Sequence, residues 1–288
     1  MIAAFQKDDA LHADIARPPA TIDELRVWWL GQSGLLVRHG GSLLLLDPYL
    51  SDSLTRKYAA TDKPHVRMTE RVIAPERLAP ISVVTSSHNH TDHLDAETLI
   101  PLRNANPQMR FVIPEANRAF VAERLGISAA EPLGLDDGAS IDVDGWHFTG
   151  IAAAHNDFDC DATGRHKYLG CVIRRGDWTL YHSGDTLLYP GLSEKLRACG
   201  IDVAFLPING NKPERRVAGN LDGREAAQLA HDIGARCVVP CHYDMFEFNT
   251  ASPAEFIAEC RRLAQPHRVL SVGEGWTVPP PHAASAET

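Results

Sequence analysis

The segment Ser87-His88-Asn89-His90-Thr91-Asp92-His93 places three imidazoles and a carboxylate within six residues. His88 and His90 are two apart and His93 is three further on, so a loop entering a helix can aim the first pair at one point and Asp92 with His93 at a second. One short stretch can therefore serve two metal ions. Neutral imidazoles with a carboxylate suit Zn²⁺, Mn²⁺ or Fe²⁺, whereas Ca²⁺ or Mg²⁺ asks for mostly oxygen donors. The chemistry within reach is hydrolysis: two divalent ions about 3.5–4 Å apart hold a hydroxide near neutral pH and polarise the oxygen of the group it attacks. No protein nucleophile is then required, and the chain has no Gly-x-Ser-x-Gly elbow.

Such side chains need a frame. Residues 81–85 are a β-branched run that stops where the histidines begin, which puts them on the loop at a strand's C-terminal end, a usual place for functional groups. A helix follows over 95–103, with an acidic first turn. Upstream, 27–30, 35–37 and 42–46 are apolar runs separated by Gly31-Gln32-Ser33-Gly34 and His39-Gly40-Gly41, and they read as consecutive antiparallel strands. Further strands are expected at 111–113, 140–143, 146–153, 170–174, 178–182, 203–207 and 235–240. Helices are expected at 114–125, 192–197, 222–233, capped by Asp222, and 253–265. Strands and helices alternate in both halves with no linker between them, so two packed sheets covered by helices are expected within a single domain, residues 26–278. Residues 1–25 read as a polar leader with a short helix over 8–16, packing on or preceding that domain. The Pro- and Ala-rich tail, 279–288, has the composition of a disordered segment.

Composition narrows the partners. Over 288 residues the formal net charge is -9, which argues against a nucleic-acid surface and leaves room only for a local basic pocket. The N-terminus turns acidic at Asp8 and Asp9 before an apolar signal core could form, and the longest apolar run, 43–46, is too short to span a bilayer. A cytoplasmic protein without membrane contact is expected. The six cysteines are irregularly spaced with no Cys-x-x-Cys pair, which suits reduced thiols.

His88-x-His90-x-Asp92-His93 after a β-strand resembles the signature of the metallo-β-lactamase superfamily. The resemblance implies an α/β fold, a four-layer αββα sandwich of mixed sheets. It also implies a third histidine, a bridging aspartate and a fourth histidine, in that order, each near a strand end. His155 in Ala154-His155-Asn156, Asp185 in Ser183-Gly184-Asp185 and His242 in Cys241-His242-Tyr243 match, each after an apolar run. Carried over, the resemblance implies that His88, His90 and His155 hold a first divalent transition metal, Asp92, His93 and His242 a second, and Asp185 bridges them. Asp92, His93 and Asp185 are then catalytic as well as ligating. Gly184 permits a tight turn that frees the Asp185 carboxylate. Asp47 ends its strand where the superfamily places an aspartate supporting the metal site, and it reads equally as a turn residue before Pro48. His182 is the nearest of the other histidines. The flavodiiron oxidoreductases of the same fold carry a glutamate at the place of His90, so the histidine favours hydrolysis over redox chemistry.

Within the superfamily, Tyr181-His182-Ser183-Gly184-Asp185, Ile201-Asp202-Val203-Ala204 and Val238-Val239-Pro240-Cys241-His242-Tyr243-Asp244 look like the L-ascorbate-6-phosphate lactonase branch. That implies a lactonase acting on a small, anionic sugar-phosphate lactone, and a homo-oligomer. The stretch from Ser87 to Asp95 is also similar to the N-acyl-phosphatidylethanolamine-hydrolysing phospholipase D relatives, which makes a phosphodiesterase the alternative. A non-catalytic scaffold on the same fold predicts lost ligands. A phosphorylated substrate needs cations, for which Lys212, Arg215 and Arg216 are candidates, with Arg165 and Lys167 as a second pair.

Overall fold

The computed structural model describes residues 1–280. The tail expected to be disordered lies outside the described residues except for Pro279 and Pro280, whose carbonyls accept hydrogen bonds from Arg236.

Thirteen strands among the described residues form two mixed sheets. The first is built from β1 (Leu25–Gly31), β2 (Gly34–His39), β3 (Ser42–Leu46), β4 (Val83–Thr85), β5 (Arg110–Pro114) and β6 (Leu133–Leu135). The second comprises β7 (Ser140–Val143), β8 (Trp146–Ala152), β9 (Leu169–Arg175), β10 (Trp178–His182), β11 (Val203–Pro207) and β12 (Cys237–Cys241). A last strand, β13 (Gly275–Thr277), returns to the first sheet beside β1. The orders are β13-β1-β2-β3-β4-β5-β6 and β12-β11-β10-β9-β8-β7. The helices are α1 (Asp8–Ala16), α2 (Ser53–Tyr58), α3 (Ala96–Ala105), α4 (Arg118–Leu125), α5 (Leu192–Arg197), α6 (Gly223–Asp232) and α7 (Ala254–Arg262).

Strands β2 and β11 are buried along their whole length rather than at alternate residues. That pattern belongs to sheets covered on both faces, and one apolar cluster runs through both sheets, from Trp28 and Leu44 to Phe205 and Val239. The helical crossovers keep β4, β5 and β6 parallel to β3, and β11 and β12 parallel to β10. Helix α6 starts on the expected cap: the Asp222 carboxylate accepts from Arg224 N and Glu225 N, and the Glu225 carboxylate accepts from Asp222 N. The two glycine turns make antiparallel hairpins β1-β2 and β2-β3, as the sequence predicts.

Among the strands and α-helices of the described residues, three escaped the sequence reading. Strands β6 and β13 have three residues each, too few to show a period of two, and their neighbours define them. Helix α2 spans six residues, shorter than two full turns. The N-terminal segment packs on the first sheet: Leu11 is fully buried, and the Asp14 carboxylate accepts from Gln6, Arg26 and the Trp28 indole.

Strand direction decides where function can sit. β1 and β3 both run antiparallel to β2, and β4 is parallel to β3, so β1, β3 and β4 end at one edge of the first sheet. In the second sheet β8 and β10 both run antiparallel to β9, and β11 and β12 run parallel to β10. The loops after β1, β3 and β4 and after β8, β10 and β12 carry every expected ligand and its supporting aspartate. Carboxyl ends of parallel strands are the usual ligand site of such sheets.

Candidate metal centre

Loop β4–α3 carries His88, His90, Asp92 and His93; the ends of β8, β10 and β12 deliver His155, Asp185 and His242. These residues, 154 positions apart at the extremes of sequence, converge in two groups: His88, His90, His155 and Asp185, and Asp92, His93 and His242. Within each group the candidate ligand atoms lie within 4.8 Å of one another. The Asp185 carboxylate also reaches the second group. Its Oδ1 is 3.3 Å from His93 Nε2 and its Oδ2 is 3.3 Å from His242 Nε2, with His155 Nε2 at 3.7 Å on the other side.

Outer hydrogen bonds fix which ring nitrogen points inward. His93 Nδ1 faces Asp47 Oδ2 at 2.8 Å, His155 Nδ1 faces the Gly219 carbonyl at 2.8 Å, and His88 Nδ1 faces Ser87 Oγ at 3.0 Å. Each leaves its Nε2 for the interior, the arrangement in which a histidine serves a metal. Asp47 is fully buried and holds the loop besides, accepting from Thr85 Oγ1, Ser87 N and Ser87 Oγ. His182 is buried behind it, with Nε2 3.3 Å from the Ser33 carbonyl, and does not join the ligand groups.

The backbone bends to achieve this. Gln32, Asp47 and His242, each just past a strand end, have positive φ of 52°, 39° and 60°. Non-glycine residues accept such conformations at a cost of about 1–3 kcal/mol, which clusters at functional sites. Gly184, before Asp185, has φ +58°, and a Cβ there would meet Ser87 Cβ at 2.7 Å and the Leu169 carbonyl at 3.0 Å. Gly184→Ala is therefore expected to destabilise the protein by about 1–3 kcal/mol through overpacking. A urea melt should show a lower midpoint, and the displaced Asp185 a lower metal content; an unchanged melt would contradict the close packing.

The donor set fits divalent cations. His88 Nε2 is buried without a hydrogen bond, an unmet cost of about 1–3 kcal/mol that a cation would remove, and His93 Nε2 and Asp185 Oδ1 make no hydrogen bond and face each other at 3.3 Å. Burial pushes His88 well below the ordinary imidazole value, takes His90 down to about 4 and lowers His155, so the first group offers neutral rings. Burial alone would raise the Asp92 and Asp185 carboxyls, but His93 and His242 hold both well below the usual range. In return, and against their own burial, those carboxylates raise His93 and take His242 up to about 9.

The sign of the consequence follows. At neutral pH a cation entering the second group must displace protons that Asp92 and Asp185 hold on the imidazoles, so metal affinity is expected to rise with pH through the neutral range. Calorimetry at pH 7 in buffers of different ionisation enthalpy should report proton release. Heats that do not depend on the buffer would contradict this.

A cleft of about 510 Å³ opens over the site, with His90, Asp92, His155, Asp185 and His242 in its lining. Its cations are Lys57, Lys63 and Arg124, none of which the sequence reading singled out. Lys212, Arg215 and Arg216 do not line it. Arg215 spends its guanidinium on the Asn209 and Thr250 carbonyls and Asn249, Arg216 pairs with Asp62 at the surface, and Lys212 is exposed. Arg165 and Lys167 pair with Asp161 and Asp159, also away from the cleft. The stretch after Arg216 does reach it through Val217 and Ala218, while the charged residues of the same loop lie outside its lining.

The family model of the beta-lactamase superfamily domain matches residues 43–243, from β3 through the last ligand position. The chain belongs to the beta-lactamase superfamily. Its fold is the metallo-β-lactamase fold, α/β with two mixed sheets in a sandwich. The chain is 29% identical over 255 residues to a UPF0173 metal-dependent hydrolase of Opitutus terrae, covering 87% of this chain and 98% of that one. A Myxococcus xanthus protein of the same description is 27% identical, over 93% of this chain and 85% of its own length. Among solved structures it shares its fold with Igni18, a metallo hydrolase from the archaeon Ignicoccus hospitalis, at a TM-score of 0.64 and 22% identity over 88% of this chain and 98% of that one. The described residues contain no helix long and apolar enough to cross a membrane, and all six cysteines are free.

Proposed function

We propose that this superfamily member is a metal-dependent hydrolase that opens a small anionic lactone, with a sugar-phosphate lactone of the L-ascorbate 6-phosphate type as its substrate class. The observation that carries the reading is the cleft: convergent imidazoles and carboxylates at its floor, and Lys57, Lys63 and Arg124 along its walls. His88, His90 and His155 would hold one ion, Asp92, His93 and His242 the other, with Asp185 reaching both. When bound, two such ions, Zn²⁺, Mn²⁺ or Fe²⁺, would supply hydroxide near neutral pH and polarise the scissile carbonyl.

The chain's own residues do the rest. Lys57 makes no ion pair among the described residues; its ammonium lies 5.1 Å over the Tyr58 ring at the cleft wall, in reach of an anionic substituent. Lys63 is held by the Arg216 carbonyl, and Arg124 by the Asn89 and Leu94 carbonyls, so Arg124 also braces the histidine loop. Tyr58 stacks on His65 at 4.5 Å and Phe246 meets His65 edge-on at 5.1 Å, giving the cleft an aromatic wall against which a small ring can lie. At 510 Å³ the cleft has the volume of a small-molecule site.

Hydroxide activated by the same two ions would also suit a phosphodiester, and substrate turnover separates the two chemistries. Hydrolysis of phosphorylated sugar lactones, weakened when Lys57 and Lys63 are changed to Gln, is the expected result. Turnover of bis-p-nitrophenyl phosphate with no action on any lactone would overturn the lactonase reading in favour of a phosphodiesterase. A non-catalytic scaffold would turn over neither, although all seven candidate ligands are present.

A further inference from the structure

Gln32 lies in the turn between β1 and β2, where φ of +52° is a strained value for a residue with a side chain. It is 1% exposed. Its backbone carbonyl accepts two hydrogen bonds of 2.9 Å, one from the Trp29 indole and one from the His242 backbone N–H. Trp29 in turn stacks on Tyr243, the residue after His242, with ring centroids 4.5 Å apart. The side chain reaches His242 as well, and the histidine loop beside it: Nε2 donates to Asp92 Oδ2 at 2.8 Å and lies 3.0 Å from His242 Nε2. The remaining amide atom, Oε1, is buried without a partner beside them.

Asp92 comes from the first sheet and His242 from the second; Gln32 touches Asp92 through its side chain and His242 through both side chain and backbone. We propose that Gln32 is a positioning residue for the second ion, holding Asp92 and His242 in mutual register, an inference that rests on the two-ion reading above. A neutral amide suits the place. Its N–H fixes one oxygen of Asp92 without neutralising it, where a lysine would compete with the ion and a glutamate would repel the carboxylate.

The test is a Co²⁺ titration of the full chain after chelator treatment, followed by visible absorption and calorimetry, with Gln32→Met and Gln32→Asn beside the parent. Gln32→Met keeps the reach and removes the amide. Gln32→Asn keeps the amide, tolerates the left-handed backbone and falls one methylene short of Asp92. Both are expected to weaken one binding step, Gln32→Met by about 10–100-fold, the usual effect of losing a group that orients a ligand. That step should be the one His242→Ala removes, while the other stays unchanged and the variants melt near the parent. A merely structural role would shift both steps together with the melting temperature. Parent-like binding of both ions by the variants, or equal weakening of both steps in folded protein, would overturn the role of Gln32 while leaving the two-ion reading intact. A parent chain that takes up no Co²⁺ would overturn both.

Discussion

Asp185→Asn is expected to lower kcat/KM by about a thousand-fold or more and to prevent two ions from binding together. Among the candidate ligands, the Asp185 carboxylate approaches both groups, at 3.3 Å from His93 Nε2 and His242 Nε2 and 3.7 Å from His155 Nε2. Asparagine keeps the shape and removes the charge that offsets two cations. Losing about 4 kcal/mol of the several that paired ions supply corresponds to about three decades in rate. The fold should survive, because His93 and His242 can shed the protons that Asp185 helps them keep. Steady-state kinetics beside metal analysis of the same sample check this. A variant with full activity and two ions per chain would remove Asp185 from the centre.

Asp47→Ala should act on stability and metal together. The carboxylate is fully buried and accepts from His93 Nδ1, Thr85 Oγ1, Ser87 N and Ser87 Oγ. Removing it strands several buried donors, for which about 3–5 kcal/mol is expected, the range for breaking a buried charged pair. Metal affinity should fall by about 10–100-fold, because His93 loses the partner that fixes its ring. The pH dependence has a definite sign. Burial would raise the Asp47 carboxyl, but His93, His182 and Ser87 hold it below its ordinary value, so its stabilisation is present above the unfolded-state pKa and is lost as pH falls through the folded one. The gap between parent and variant in denaturant melts should thus be widest near neutrality and close in acid. A gap that widens on acidification would contradict the assignment.

The sequence made the chemistry legible where ligands crowd together and the fold legible where periods are long enough to read. His88 to His93 stood out because four ligating groups fall in one loop, and the strand before them was written in Val83, Val84 and Thr85. His155, Asp185 and His242 are single residues after apolar runs, and only their order within a family pattern singled them out. That order became a shared site through the parity of the strands, since antiparallel β9 returns the chain so that β8 and β10 end at the same edge. The cleft's walls were less legible. Lys57, Lys63 and Arg124 sit on or after elements whose facing depends on loop paths, and no local spacing distinguishes them from Lys212, which is exposed, or from Arg215 and Arg216, which bind loop carbonyls and a surface acid instead. Gln32 looked like part of a glycine turn. Its role is visible only once the two sheets are docked and His242 lies against it.

The account stands most directly on a metal count joined to turnover. Protein stripped by chelation should neither bind transition metal nor hydrolyse a sugar-phosphate lactone. Titration with Mn²⁺ or Zn²⁺ should restore hydrolysis in step with binding, up to two ions per chain, and His88→Ala and His242→Ala should each remove one of them. Lactone hydrolysis that persists in fully stripped protein, or a chain that binds no divalent transition metal, would contradict it.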